Sequence, residues 1–255
     1  MIRACGVSDA GRVRKNNEDK FVSDPELGLF AVADGMGGHK AGEVAAQIAI
    51  ETVAGFVGRS AHESDVTWPY GIDEALSFDG NRLRTAIFLA NRKVFRAAER
   101  TDDYGGMGTT FVGLLVNGAH ASIASVGDSR LYLLSDGTIK QLTVDDSWAA
   151  TILAQDKTLT PEAIAQHPMR NVLTNVLGAR DSVDVHLIER TLNAGDVLLL
   201  CSDGVHNVLA PEGLREILTN NPDCERAAQV LIDTALDRGS RDNVTALVVR
   251  YEADK

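Results

Sequence analysis

Thr109–Val126, TTFVGLLVNGAHASIASV, holds two runs of β-branched and apolar residues joined at Asn117-Gly118. Asn-Gly takes up the positive-φ conformations of a two-residue hairpin turn, so the stretch reads as two antiparallel strands, Thr109–Val116 and Ala119–Val126. Arg130–Leu134 reads as a further strand and ends at the turn signal Ser135-Asp136-Gly137. Outward from this block, strand-like runs stand at Ile2–Ser8, Lys20–Ser23 and Leu29–Ala33, and again at Val183–Glu189, Asp196–Ser202 and Asn243–Tyr251. Ala41–Val57 is small and apolar on most faces, the pattern of a buried helix. Asn81–Arg100 is an amphipathic helix, with Leu83, Ile87, Ala90 and Val94 at helical spacing. Glu212–Asn220 and Glu225–Asp237 also read as helices, and Arg59–Asp79 as a polar loop. Asp145–Leu177 is polar and helix-prone, with a helix start at Thr160-Pro161-Glu162. Helices arrive in pairs between blocks of hairpins, which predicts an α+β fold of layered antiparallel sheets, a single domain over 1–255.

Bulk properties narrow the function. Of 255 residues, 44% are apolar and 24% charged, and the formal net charge is −11. That acidity argues against nucleic acid or an anionic membrane as partner. Cys5, Cys201 and Cys224 are odd in number and lack metal-ligand spacing, which suits a reducing compartment. The N-terminal residues lack the apolar run of a signal peptide, and no segment approaches the ~18 apolar residues of a membrane span. A soluble, cytoplasmic monomer is the expectation.

Four Asp-Gly dipeptides occur, at Asp34, Asp79, Asp136 and Asp203. Any one of them is most simply a turn, and Asp79 and Asp136 fit that description. Asp34 and Asp203 differ, because each ends an apolar strand, Leu29–Ala33 and Val197–Cys201. A carboxylate there stands at the mouth of a buried strand, and the glycine after it lets backbone or ligand approach. Asp128 marks a strand break, and Asp242 lies between a helix and the last strand; each alone reads as a turn residue. As a cluster, these oxygen donors would suit hard cations such as Mg²⁺ and Mn²⁺. Like charges buried together repel strongly without a cation between them.

These residues sit in seven blocks: Arg14-Lys15-Asn16-Asn17-Glu18-Asp19, Val32–His39, Gly106–Thr110, Val126–Arg130, His167–Thr174, Leu200–Gly204 and Arg241–Thr245. In this order, over nearly the whole chain, they resemble the metal-dependent protein phosphatases of type 2C, especially the small bacterial members. The resemblance implies a four-layer αββα sandwich, two antiparallel sheets face to face with helices outside. It implies hydrolysis of phosphoserine and phosphothreonine in phosphorylated protein substrates, opposing a bacterial serine/threonine kinase. The cofactors would be two Mn²⁺ or Mg²⁺ ions, with a third near Asp128 and Asp203. Asp34 would bridge the pair, the Gly35 carbonyl, Asp203 and Asp242 would bind it, and Glu18 would reach it through water. Asp19 and Asn243 would support these ligands. A metal-bridging hydroxide would attack phosphorus while Arg14 binds the phosphate; alone, Arg14 reads as a solvated surface arginine.

Two positions depart from the pattern. Met36 stands where many eukaryotic relatives carry a histidine proposed as general acid. His39 is then a candidate acid, although a polar loop histidine is the simpler reading. Asp146 stands where bacterial relatives commonly read histidine, at the start of a flap over about 145–178. Two rival readings remain. Gly127-Asp128-Ser129 with Asp203-Gly204-Val205-His206 resembles the Gly-Asp-Ser esterases, with Ser129 as nucleophile and His206 as base. The other rival is a catalytically silent, phosphatase-like binding module, although such modules usually lose ligating aspartates and all of them stand here.

Overall fold

The computed structural model describes residues 1–38, 40–62, 67–155, 160, 164 and 167–252. Its strands are β1 (Ile2–Asp9), β2 (Asp19–Asp24), β3 (Leu29–Met36), β4 (Gly108–Thr109), β5 (Phe111–Asn117), β6 (His120–Val126), β7 (Arg130–Ser135), β8 (Thr138–Gln141), β9 (His186–Thr191), β10 (Val197–Cys201) and β11 (Val244–Tyr251). The helices are α1 (Ala41–His62), α2 (Phe78–Arg100), α3 (Trp148–Gln155), the single turn α4 (Asp203–His206), α5 (Pro211–Asn220) and α6 (Cys224–Asp237). One sheet runs β1-β11-β10-β7-β8 and the other β2-β3-β5-β6-β9, with β4 paired to β3. Every strand pairing is antiparallel.

Side-chain alternation explains the layering. Along β3, Leu29, Ala31 and Ala33 pack under α1 and α2 with Ala45, Val53, Leu83 and Ile87. Phe30 and Val32, on the opposite face, meet Leu131, Leu198, Leu200 and Leu247 of the other sheet. Beyond that sheet, Leu199, Ala246 and Val248 pack against Leu214, Leu218, Leu231 and Ile232 of α5 and α6. Three apolar layers thus separate four structural layers, the αββα sandwich. Each fully buried Leu, Val or Phe side chain contributes about 1.5–3 kcal/mol. Both sheets are covered on both faces, which is why β3 and β10 read as unbroken apolar runs rather than alternating ones.

The boundaries moved where tertiary contacts decide them. Arg59–His62 belongs to α1 rather than to the loop: Arg82 donates from Nε to Ser60 Oγ (2.9 Å) and from Nη2 to Val57 O (2.6 Å), pinning the last turn of α1 to α2. Phe78 and Asp79 lie inside α2, whose N-cap Ser77 accepts from Gly80 N. β8 leaves no strand signal in the sequence, because TIKQ is a polar edge strand; only the turn before it is legible. Asp136 and Gly137 both have positive φ, as a two-residue hairpin turn requires. Of the expected helix start at Thr160-Pro161-Glu162, the last two residues lie outside the described residues. No helix among the described residues is long and apolar enough to cross a membrane.

Candidate metal centre

The inward-facing alternation of β3 continues from Phe30 and Val32 to Asp34, so the carboxylate caps the core between the sheets. Asp19 opens β2 directly across from Asp34 in the register and is 2% exposed. The second sheet supplies Asp203, two residues after β10, and Asp242, two residues before β11. Asp128 lies in the connection from β6 to β7, which crosses between the sheets. Five aspartates from distant parts of the chain therefore gather at one end of the sandwich.

Neighbouring groups fix the backbone around them. Asp34 N donates to Thr110 Oγ1 (3.0 Å), and Asp34 O accepts from Thr110 N (2.9 Å) and Thr109 Oγ1 (2.9 Å). Asp19 Oδ2 accepts from Ser202 Oγ (2.8 Å) and Thr245 Oγ1 (2.6 Å), which binds one sheet to the other. Asn243 accepts from Glu18 N (2.9 Å) and donates to Ala10 O and Asn16 O (both 2.8 Å), fixing the loop that carries Arg14 and Glu18. Arg14 Nη2 donates to Asp242 Oδ2 (2.7 Å). Gly35 admits no side chain, because a Cβ there would lie 2.0 Å from Gly42 O and 2.8 Å from Glu18 O.

The electrostatics are those of uncompensated negative charge. Burial, then the nearby Asp19, Asp203, Asp128 and Asp242, push Asp34 well above the carboxylate range. Burial raises Asp19 to about 6 against the opposing Thr245 and Ser202 hydrogen bonds, with Asp203 and Asp242 adding to the rise. Asp203 is pushed up to about 6 by burial and then by Asp242. Asp128 reaches about 7 through burial, Asp203 and Asp145. Glu18 is raised chiefly by burial. Asp19 Oδ1 and Asp203 Oδ1 are buried without a hydrogen-bond partner. A buried carboxylate oxygen left so is costly unless a cation takes its lone pair. Among the described residues no three acidic, His or Cys side chains stand in a closed ligand arrangement. The fit to a metal therefore rests on the two orphaned oxygens, the mutual repulsion and an all-oxygen donor set suited to Mg²⁺ or Mn²⁺. Asp34, Asp203 and Asp242, with Glu18 and Asp128 beside them, are the residues that could hold one.

Beside this end of the sandwich lies a cavity of about 700 Å³, lined by Arg14, Arg170, Asn171, Asp203, Arg241 and Asp242 among others. A model of the protein phosphatase 2C family matches residues 10–239. The chain belongs to that family. The family match takes in Arg14, Glu18, Asp34, Asp128 and Asp203, and the fold brings Asp242 and Asn243, just beyond it, to the same place. The serine/threonine protein phosphatase PstP of Mycobacterium tuberculosis is 37% identical over 248 residues, which cover 97% of this chain and 45% of that protein. The chain thus spans under half of that relative's length. The serine/threonine phosphatase stp of Listeria monocytogenes is 34% identical over 248 residues, 96% of this chain and 94% of that one. A crystal structure of the PstP catalytic domain in complex with two manganese ions superposes with a TM-score of 0.81 at 35% identity, covering 98% of this chain and 97% of that one.

Membership of the 2C family displaces the esterase reading, and so does the geometry. Ser129 is 1% exposed, and its hydroxyl is hydrogen-bonded to Thr110 Oγ1 at 2.7 Å. His206 Nε2 donates to the Asp128 carbonyl (3.0 Å) rather than engaging Ser129, and burial pushes its pKa down to about 3. Met36 is 40% exposed at the end of β3. His39 lies outside the described residues. The sequence reading gave no role to the Thr109-Thr110 clamp on Asp34, nor to the Arg130–Asp145 pair, whose guanidinium donates from Nε (3.0 Å) and Nη2 (2.7 Å). Adjacent threonines at a strand break were the available signal for the first.

Proposed function

We propose that the chain is a divalent-metal-dependent hydrolase of phosphoserine and phosphothreonine in proteins, acting as one catalytic domain and opposing a serine/threonine kinase. The observation that carries this reading is the set of mutually repelling aspartates with two orphaned oxygens at one end of the sandwich, beside an arginine-lined cavity. Asp34, Asp203, Asp242 and the Gly35 carbonyl would hold two Mn²⁺ or Mg²⁺ ions, Glu18 through water, with Asp128 at a third. Bound there, such ions supply charge neutralisation and a water acidic enough to serve as nucleophile near neutral pH.

The chain's own residues do the rest. Asp19, clamped by Ser202 and Thr245, lies opposite Asp34 in the β2–β3 register and ties the two sheets together at the centre. Asn243 holds the 10–18 loop, and Asp242 holds Arg14 at the cavity wall. There its planar fork is placed to take two oxygens of a phosphate and to stabilise the charge that grows on them during transfer. The net charge of −11 argues against a nucleic acid, and a phosphorylated substrate would be drawn in against it by local positive charge, Arg14, Arg170 and Arg241 at the cavity. A cytoplasmic, monomeric state belongs to the same proposal; a dimer mass in sedimentation, or recovery in the membrane fraction, would count against it.

The test is turnover of a phosphothreonine peptide with Mn²⁺, then with excess EDTA. Activity that disappears with EDTA and returns with Mn²⁺ supports the proposal. A folded protein inactive with either metal would overturn it in favour of a silent binding module.

A further inference from the structure

Asp146 joins four segments. Its Oδ2 accepts from Gly127 N (3.0 Å) and Asn175 Nδ2 (2.7 Å). Its Oδ1 lies 2.7 Å from His186 Nε2 on β9, so that nitrogen carries the proton and donates it. On the backbone, Asp146 N donates to Gly127 O (2.9 Å) and Asp146 O accepts from Thr174 N (2.8 Å). Just beyond, Ser147 pairs with Leu173, and Trp148 N donates to Val172 O (2.8 Å), so the outgoing and returning ends of the 145–178 segment run side by side. Asn175 Nδ2 also donates to Asp184 O (2.8 Å), tying the returning end toward β9. The Asp146 side chain is 13% exposed.

Gly127 is the residue before Asp128. Its φ is +94°, and a Cβ there would lie 2.8 Å from Thr110 Cγ2. The turn is therefore pressed by Thr110 on one side and gripped by Asp146 on the other, through both its N–H and its C=O. A carboxylate bonded to a backbone N–H, an amide and an imidazole N–H is a charge-assisted clamp, stronger than a neutral one.

We propose that Asp146 and His186 are a positioning pair. Together they hold the Gly127–Asp128 turn and both ends of the flap root in fixed relation to the metal centre. The kinetic arm of the test rests on the phosphatase reading; the exchange arm does not.

The variants are Asp146→Ala, His186→Asp and the exchange double variant D146H/H186D. Hydrogen–deuterium exchange at the Gly127 amide reads the clamp directly. Asp146→Ala takes from the Gly127 amide its own charge-assisted acceptor, which predicts about tenfold faster exchange; His186→Asp, which removes the imidazole donor and sets a second carboxylate against Asp146, speeds exchange in the same direction by less, with a return toward wild type in the double variant. With Mn²⁺ and a phosphothreonine peptide, the single variants raise KM more than they lower kcat, and the double variant recovers. If Asp146→Ala does not fold, His186→Asp and the double variant, which keep a polar group at both positions, decide the matter. Unchanged Gly127 exchange in the single variants, or a double variant no better than they are, overturns the proposal. If the wild type itself turns over no substrate, the phosphatase reading fails, and the exchange result still decides the pair.

Discussion

Replacing Asp203, one of the proposed metal ligands, should make the metal-free fold more stable. Asp203 is raised from 3.8 to about 6, which at about 1.4 kcal/mol per pH unit is a cost of about 3 kcal/mol when the group is ionised. Asp203 is only partly buried, and solvent screening brings the figure to about 1–2 kcal/mol. A carboxylate raised in the fold destabilises it above the folded pKa, and the cost fades as pH falls toward the unfolded value. Asp203→Asn removes the charge and keeps an oxygen for the bond from Asn207 Nδ2 (3.0 Å). It also turns the orphaned Oδ1 position into an amide donor facing carboxylates. For a chain of this size, about 1–2 kcal/mol is about 2–8 °C in Tm. Thermal unfolding in EDTA at pH 8 should show that gain, reduced by about half at pH 5, where wild-type Asp203 is already largely protonated. With Mn²⁺ at pH 8 the order reverses, because wild type gains binding energy that the variant lacks. An Asp203→Asn protein less stable than wild type in EDTA at pH 8, or a gain no smaller at pH 5, would refute the reasoning.

Three further outcomes follow from the geometry. Arg14→Lys keeps the charge but loses the fork, and kcat/KM on a phosphopeptide should fall about 10- to 100-fold; a change under twofold would remove Arg14 from phosphate binding. Gly35→Ala forces a methyl against Gly42 O, and the urea midpoint should drop by the equivalent of about 3 kcal/mol; an unchanged midpoint would show that the β3–α1 junction yields freely. His206, held neutral with a pKa near 3, binds a proton only when unfolded, so stability is lost as pH falls from 6.5 toward 3. His206→Gln should flatten that part of the profile, and an unaltered slope would place the acid sensitivity elsewhere.

The sequence carried the ends of strands better than the contacts that use them. Leu29–Ala33 and Val197–Cys201 announced themselves as buried strands, so Asp34 and Asp203 stood out as carboxylates at their mouths. That Asp19 lies opposite Asp34 is a matter of register, and that Ser202 and Thr245 reach Asp19 across the gap is a matter of how two sheets stack. Neither leaves a periodic trace. The hairpin at Asn117-Gly118 and the helix of Leu83, Ile87 and Val94 were legible because their signals are local. The last turn of α1 was not, because Arg82, more than twenty residues on, holds it in place. Asp146 was legible as a departure from the pattern the chain resembles, but its partner His186 could be found only in three dimensions.

The placement of Asp19 and Asp34 on one sheet and of Asp203 and Asp242 at strand ends of the other has a mechanical meaning. The filling of Phe30, Val32, Leu198, Leu200 and Leu247 acts as a shim that sets the width of the jaw in which these carboxylates stand. A catalytic centre built this way is calibrated by residues that never touch it. A methylene added or removed deep in the shim changes the gauge of the jaw, and such a substitution can detune the centre while every residue in it stays the same.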